Sequence, residues 1–72
     1  MPKGMLRWHL RNRLAMIRES RGLTQAELAK LIGSYKSTIA SWEIDRCLPP
    51  EPMIARLMKI LHCRRHDIFP FE

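Results

Sequence analysis

The sequence predicts a single all-α domain, and three observations support this fold class. Apolar residues recur at the i, i+3, i+4 spacing of a helix in successive segments of the 72-residue chain. Residues typical of helix ends, such as a capping threonine, glycines and a proline pair, separate these segments. No segment shows the apolar–polar alternation of a strand. A chain of this length buries only a small core, so we expect five short helices and a contribution from a partner subunit to stability.

The first predicted helix runs from Trp8 or His9 to Ser20, and its core stripe is Leu10, Leu14 and Ile17. Gly22, which follows this segment, suits the left-handed conformation that ends many helices.

The second predicted helix begins after Thr24, which forms a capping box with Glu27 three residues later. Its buried stripe is expected to contain Leu28, Leu31 and Ile32, with the small Ala29 allowing a close approach. Gly33 follows the last apolar residue and is expected to end the helix in a left-handed conformation.

The third predicted helix begins at Tyr35 or Lys36 and ends at Glu43. Ile39 and Trp42 project from one side of it. The opposite face is small and polar and consists of Lys36, Ser37, Ala40 and Ser41. Such a face is either a solvated surface or a contact surface, and its short side chains would let a partner approach the backbone closely.

Residues 44–50 form a predicted loop that ends in a Pro-Pro pair, which a helix interior does not tolerate. A fourth helix is expected from Pro50 or Glu51, and its apolar stripe consists of Ile54, Leu57, Met58 and Leu61. A short fifth helix over residues 64–68 closes the domain. The predicted organisation is therefore a basic arm with the start of the first helix over 1–11, the domain over 12–69 and an extended tail over 70–72.

The chain is strongly basic, with 13 Lys and Arg against seven Asp and Glu and a formal net charge of +6. This excess predicts an anionic partner, either nucleic acid or a membrane surface. The N-terminal segment contains no acidic residue before Glu19, and its first four cations are Lys3, Arg7, Arg11 and Arg13. A basic arm suits phosphate contacts, and the alternative is a solvated tail without a fixed partner.

No apolar run reaches the length of a membrane span, and no signal peptide precedes the domain, so we expect a cytoplasmic protein without a membrane partner. Two cysteines do not make a disulfide framework and are expected to remain thiols.

The segment that contains His62, Cys63 and His66 has ligand types that zinc accepts, but it has no paired Cys-x-x-Cys element, and two arginines lie within it. We therefore expect no metal site and no cofactor. The sequence also contains no nucleophile elbow and no phosphate-binding loop, so an enzyme is not expected.

Residues at fixed spacing make the chain resemble the phage-repressor family, the Cro and lambda-repressor-like helix-turn-helix domains. The matching residues in the predicted second and third helices are Leu23, Gln25, Leu28, Ala29, Gly33, Ser37, Thr38, Ile39, Trp42 and Glu43. The resemblance continues through Pro49, Leu57, Leu61, Asp67, Ile68 and Phe69, and so covers residues 12–69. It implies a five-helix DNA-binding fold and a role as a transcriptional regulator, typically a repressor.

The resemblance also implies roles for individual residues. The third helix would be the recognition helix, with Lys36, Ser37 and Ser41 at base-reading positions and Ala40 near a thymine methyl. The phosphate contacts that the resemblance implies are Gln25 and Arg46. The charge of the basic arm, which lies outside the resemblance, adds Lys3 and Arg7 as expected phosphate contacts. Arg18 and Glu43 would form an inward salt bridge.

Four positions depart from the usual pattern of the family, and one of them is Pro50, which replaces another usual capping residue. Tyr35 occupies the usual position of a capping serine or threonine, which makes Ser34 an alternative cap. Asp45 and His62 stand where glycine is common, and aspartate tolerates a left-handed conformation better than histidine does.

The resemblance further implies a homodimer on palindromic double-stranded DNA. Apolar residues near the C-terminal end are its expected interface, and they are Met58, Ile60, Ile68, Phe69 and Phe71. The alternative function is a protein-interaction module of the same fold, either an antitoxin or a coactivator. A metal or thiol sensor built on the same DNA-binding fold is a third interpretation.

Overall fold

The computed structural model describes residues 12–71, and these residues contain five α-helices and no strand. The helices, in chain order, are α1 Leu14–Ser20, α2 Gln25–Ile32, α3 Lys36–Glu43, α4 Glu51–Leu61 and α5 Arg65–Ile68. The predicted all-α, five-helix fold is therefore confirmed. None of the helices described is long and apolar enough to cross a bilayer.

Helix α1 begins later than the sequence predicted. Asn12 and Arg13 are not helical. The Asn12 side chain explains this start, because its Oδ1 accepts a hydrogen bond from the Leu14 backbone N–H at 3.0 Å. A short polar side chain that binds the backbone in this way competes with continuation of the helix. The part of the predicted first helix that precedes Asn12, including Leu10, lies outside the described residues.

Helix α2 has the predicted boundaries. Thr24 Oγ1 accepts from the Glu27 backbone N–H at 3.0 Å, and Glu27 Oε1 accepts from the Thr24 N–H at 2.8 Å. This reciprocal pair is the expected capping box. The helix ends at Gly33, whose φ of 75° is left-handed as predicted. In α1 the C-cap is Arg21, and the left-handed residue is Gly22 immediately after it, with φ 73°.

The buried stripe of α2 differs from the prediction in one residue. Leu28, Ala29 and Ile32 are buried, whereas Leu31 is 56% exposed. Each residue advances about 100° around a helix, which places Leu31 roughly 100° from the centre of the stripe formed by the other three. The prediction that Leu31 is buried was therefore wrong, because Ala29 rather than Leu31 faces the core.

Helix α3 begins at Lys36, one of the two predicted starts. Tyr35 is the N-cap in an extended conformation and forms no side-chain capping bond, so the cap does not move to Ser34. Asp45 and His62 have φ values of 60° and 53°, so both adopt a left-handed conformation.

The core contains residues from all five helices. Its buried apolar residues are Leu14, Leu28, Ala29, Ile32, Ile39, Trp42, Ile54, Leu57, Leu61, Ile68 and Phe69. The fifth helix is held at the start of the first, because the Arg13 backbone N–H donates to the Ile68 carbonyl at 2.7 Å. This arrangement places Ile68 and Phe69 inside the monomer.

The predicted dimer interface therefore needs a correction. Ile68 is fully buried and Phe69 is 8% exposed in the monomer, so neither is available to a partner. The domain is small enough that its own core uses both residues. Of the other predicted interface residues, Phe71 is 75% exposed, and Met58 and Ile60 are half-buried against the core.

Arginine side chains close the C-terminal ends of two helices. Arg21 Nε donates to the Leu61 carbonyl at 2.8 Å, and Arg56 Nη1 donates to the Ile32 carbonyl at 3.0 Å. The last carbonyls of a helix have no partner within the helix. These two bonds satisfy such carbonyls at the ends of α4 and α2.

A surface ion pair joins α5 to the start of α4. Arg65 Nη1 and Nη2 donate to the two carboxylate oxygens of Glu51 at 2.6 and 2.9 Å. The hydrogen bonds from Arg65 hold the pKa of Glu51 below its ordinary value of 4.5. Since the folded-state pKa is lowered, the stabilisation by this pair is present above pH 4.5 and is lost as pH falls through the folded pKa.

We expect Arg65→Gln to return the pKa of Glu51 towards 4.5, because the substitution removes the bidentate donor. NMR titration of the Glu51 carboxyl carbon measures this change directly. Lys59→Gln removes the same charge from an exposed position on α4 and serves as the control. Equal pKa shifts in the two variants would contradict a specific Arg65–Glu51 pair.

Candidate nucleic-acid interface

Helix α3 presents the four predicted contact residues on one side. Lys36 and Ser37 are exposed, and Ala40 and Ser41 are half-buried. On the opposite side, Ile39 is fully buried and Trp42 is 4% exposed. The core anchors one side of α3 and leaves a small polar surface on the other, with one lysine at its N-terminal end.

The turn between α2 and α3 sets the relative position of these helices. Gly33 has a left-handed backbone, and the Ser34 N–H donates to the Ala29 carbonyl at 2.8 Å. A Cβ at Gly33 would meet only Arg56 Nη1, at 3.9 Å, which is an ordinary contact. The positive φ, rather than lack of space, is therefore the reason that glycine suits this turn.

Gln25 is the first residue of α2 and is half-buried. Its Nε2 donates a hydrogen bond to Glu43 Oε1 at 2.9 Å, across the contact between α2 and α3. The backbone N–H groups in the first turn of a helix favour an anion. The predicted phosphate-contacting residue thus lies at a helix end that suits a phosphate, with its side chain held by α3.

Arg18 and Glu43 form the inward ion pair that the resemblance implied. Arg18 Nε donates to Glu43 Oε2 at 2.6 Å, and Nη2 donates to Oε1 at 3.3 Å. Nη1 of the same guanidinium donates to the Leu23 carbonyl at 2.7 Å. Arg18 is 7% exposed and Glu43 is 6% exposed. The pair ties α1 to the end of α3 and to the segment before α2.

The electrostatics of this pair favour its charged form. The hydrogen bond with Glu43 raises the pKa of Arg18 above its ordinary value, despite the opposing effect of desolvation. Among the described residues, every buried side-chain nitrogen and oxygen has a hydrogen-bond partner. The pair is therefore a satisfied buried network and not an isolated charge.

Asn12 is a residue that the sequence interpretation missed. Its Nδ2 donates to the Trp42 carbonyl at 2.8 Å and to Asp45 Oδ1 at 2.7 Å. It therefore holds the C-terminal end of α3 and the following left-handed turn. The predicted first helix placed Asn12 in its interior, between Leu10 and Leu14 of the core stripe. The preference of asparagine for capping positions was the available signal.

Arg46 follows this turn, where its backbone N–H donates to the Ser41 carbonyl at 2.9 Å and its side chain is exposed. It thus lies immediately beyond the C-terminal end of α3. The two other predicted phosphate contacts, Lys3 and Arg7, lie outside the described residues.

The cysteine and histidine residues form no centre in the described part of the chain. No three His, Cys, Asp or Glu side chains there come close enough together to hold a metal ion. Burial raises the pKa of the Cys63 thiol, and the nearby Asp67 adds to this effect. A raised pKa disfavours the thiolate, which is the reactive form of cysteine. Nothing in this geometry favours the thiol-sensor interpretation.

Comparisons with known proteins agree with this architecture. A family model described as a helix-turn-helix domain matches residues 9–68, a segment that contains all five described helices. A protein of Archaeoglobus fulgidus, named as an uncharacterized HTH-type transcriptional regulator, is 30% identical over 63 residues. The aligned region covers 88% of this chain and 90% of the relative, so the two proteins match over nearly their full lengths.

Proposed function

The chain belongs to the helix-turn-helix domain family, and from this premise we propose that it is a sequence-specific DNA-binding transcriptional regulator. The observation that carries the proposal is the outer face of α3, where small polar side chains lie opposite a buried anchor of Ile39 and Trp42. A helix of this shape can enter the major groove closely. The net charge of +6 supports a polyanionic partner.

Within this family, the closest type is the phage-repressor domain, and the role would be that of a repressor. The buried Arg18–Glu43 pair and the glutamine at the start of α2 support this finer assignment, because both features occur at the positions where the resemblance implies them.

The side chains on the outer face of α3 differ in chemistry, so each type contacts a different group on the bases. Lys36, exposed at the N-terminal end, donates hydrogen bonds to the acceptors of guanine. Ser37 and Ser41 pair with donors or acceptors on base edges, and Ala40 contacts a thymine methyl. These four residues set the choice of sequence.

Phosphate contacts set the affinity and orient the domain on the duplex. Gln25 contacts one phosphate through its side chain and the N-terminal end of α2. Arg46 contacts the backbone beyond the other end of α3. Lys3 and Arg7 are assigned the same role on the basis of the sequence alone.

The protein acts as a homodimer on a palindromic operator. A single domain carries one recognition helix, which covers only a few base pairs, at about 1–3 kcal/mol of discrimination for each pair. A two-fold dimer doubles the site and places its helices in successive major grooves, about 34–36 Å apart. Phe71, which is exposed, and the half-buried Met58 and Ile60 form the interface in this proposal.

We expect Lys36→Ala and Ser41→Ala to relax base preference at specific operator positions, each by roughly 1–3 kcal/mol, because each substitution removes a contact to a base edge. Binding to a set of single-base operator variants measures these preferences. Both side chains project from the outer face of α3, so stability is expected to change little.

Arg46→Ala is the matched control, because it removes a predicted phosphate contact and no base contact. It should weaken binding to all sequences alike and reduce the slope of log affinity against log salt by about one. If Lys36→Ala and Ser41→Ala leave the base preferences of the wild-type protein intact, the assignment of the recognition face is wrong.

A further inference from the structure

Gln25 and Glu43 make a contact whose chemistry determines how the glutamine amide is oriented. Gln25 Nε2 lies 2.9 Å from Glu43 Oε1. An ionised carboxylate only accepts hydrogen bonds, whereas an amide has one donor end and one acceptor end. The NH2 end of Gln25 must therefore face Glu43.

This orientation has a consequence for a phosphate at the start of α2. Phosphate oxygens accept hydrogen bonds, so only the NH2 end of the amide can bind them. One N–H of that group is directed to Glu43, and the second remains for another acceptor. An amide turned by 180° would present its oxygen instead.

We propose that Glu43 is a positioning residue for DNA binding, which holds the Gln25 amide in the orientation that donates to a phosphate. This inference rests on the proposed DNA-binding function. Glu43 itself does not touch the DNA in this arrangement. It acts through Gln25, from the end of the same helix whose outer face reads the bases.

Arg18 makes this role of a carboxylate possible. A carboxylate near a phosphate would be repelled by it, and the repulsion is strong where solvent is excluded. Arg18 contacts both oxygens of Glu43, at 2.6 and 3.3 Å, and neutralises the charge. Oε1 accepts from both Arg18 and Gln25, so the three side chains form one chain of donors and acceptors.

The contact between Gln25 and Glu43 can be tested separately from the structural role of the Arg18–Glu43 ion pair. Arg18 and Glu43 are buried, whereas the bond from Gln25 is only partly buried, and Gln25 is not part of the apolar core. The orientation of Gln25 is therefore expected to affect binding more than folding.

The test compares R18M/E43M with R18M/E43Q. Both variants remove the buried ion pair together, which avoids leaving one unpaired charge. R18M/E43M has no strong acceptor for Gln25, whereas the new amide oxygen in R18M/E43Q can accept from it. We expect R18M/E43M to bind a selected duplex several-fold to roughly tenfold more weakly than R18M/E43Q.

Addition of Gln25→Ala shows whether the effect passes through Gln25. Gln25→Ala alone should weaken binding by roughly tenfold, the loss of one hydrogen bond to a charged group. In the Gln25→Ala background, R18M/E43M and R18M/E43Q should bind equally. A difference that persists in this background, or equal affinities of the two variants with Gln25 present, would overturn the positioning role.

NMR of the wild-type protein without DNA gives an independent readout that needs no variant to fold. The Gln25 side-chain amide should be ordered, with one proton shifted by the hydrogen bond to Glu43. Signals typical of a freely solvated glutamine overturn the proposal. If the wild-type protein binds no duplex, the proposed function fails and the phosphate role fails with it. Tight wild-type binding with an unordered Gln25 amide overturns the positioning role alone.

Discussion

Arg18→Met is expected to lower the free energy of unfolding by about 3–5 kcal/mol, because it leaves the carboxylate of Glu43 buried without its cation. Glu43 is 6% exposed, and Arg18 supplies two of its three side-chain hydrogen bonds in the described residues. Native domains are stable by only about 5–15 kcal/mol, and a chain of 72 residues lies towards the lower end of this range. From a stability of about 5 kcal/mol, a loss of this size would leave only about 0–2 kcal/mol.

Urea denaturation followed by circular dichroism measures the change, and R18M/E43M is the matched control. Replacement of both members of a buried ion pair by apolar residues is often neutral or stabilising. The double variant should therefore be more stable than Arg18→Met alone. A thermal midpoint of Arg18→Met equal to that of the wild-type protein would count against a buried bridge.

Trp42→Ala is expected to cost about 3–5 kcal/mol, the usual range for removal of a large buried aromatic side chain. Trp42 is 4% exposed, and together with Ile39 it anchors the recognition helix on the core. The substitution would leave a cavity beneath α3, so the loss of stability should be accompanied by a loss of DNA affinity.

Tyr35→Ala is the control within the same helix region, because Tyr35 is an aromatic residue that is 76% exposed. It should change stability by no more than about 0.5 kcal/mol, as is usual for surface positions. Both variants are measured by urea denaturation. Similar losses for Trp42→Ala and Tyr35→Ala would show that Trp42 does not anchor α3 on the core.

The elements that the sequence predicted well are those with local chemical signals. Thr24 and Glu27 form a capping box, and Gly33 ends the same helix. Both features were predictable because each involves groups that lie within four residues of one another in the sequence. The outer face of α3 was predictable for a related reason. Its residues are fixed at helical spacing once Ile39 and Trp42 are directed inward.

Features that depend on tertiary contacts were predicted less well. Leu31 has the spacing of a buried residue, but Ala29 is buried instead, and the sequence of one helix does not indicate which side its neighbours cover. Ile68 and Phe69 were assigned to a dimer interface because the sequence does not indicate how many apolar residues the core of the monomer contains. In the fold, the core uses both.

Polar contacts between residues far apart in the sequence could not be predicted from sequence patterns either. Asn12 binds the Trp42 carbonyl and Asp45, which are 30 and 33 residues away in the chain. The contact between Gln25 and Glu43 spans 18 residues. The resemblance includes Gln25 and Glu43 among its matching residues, but only the packing of α2 against α3 shows that the glutamine amide and the carboxylate meet.

Selection of bound sequences from a random pool of DNA duplexes, at physiological salt, tests the central claim most directly. A two-fold dimer that reads bases with Lys36, Ser37, Ala40 and Ser41 should enrich one palindrome. Its half-sites should be centred one helical turn apart, about 10–10.5 base pairs. Enrichment of a single non-palindromic half-site would contradict the dimer. A pool that gains no sequence preference over successive rounds would contradict sequence-specific DNA binding.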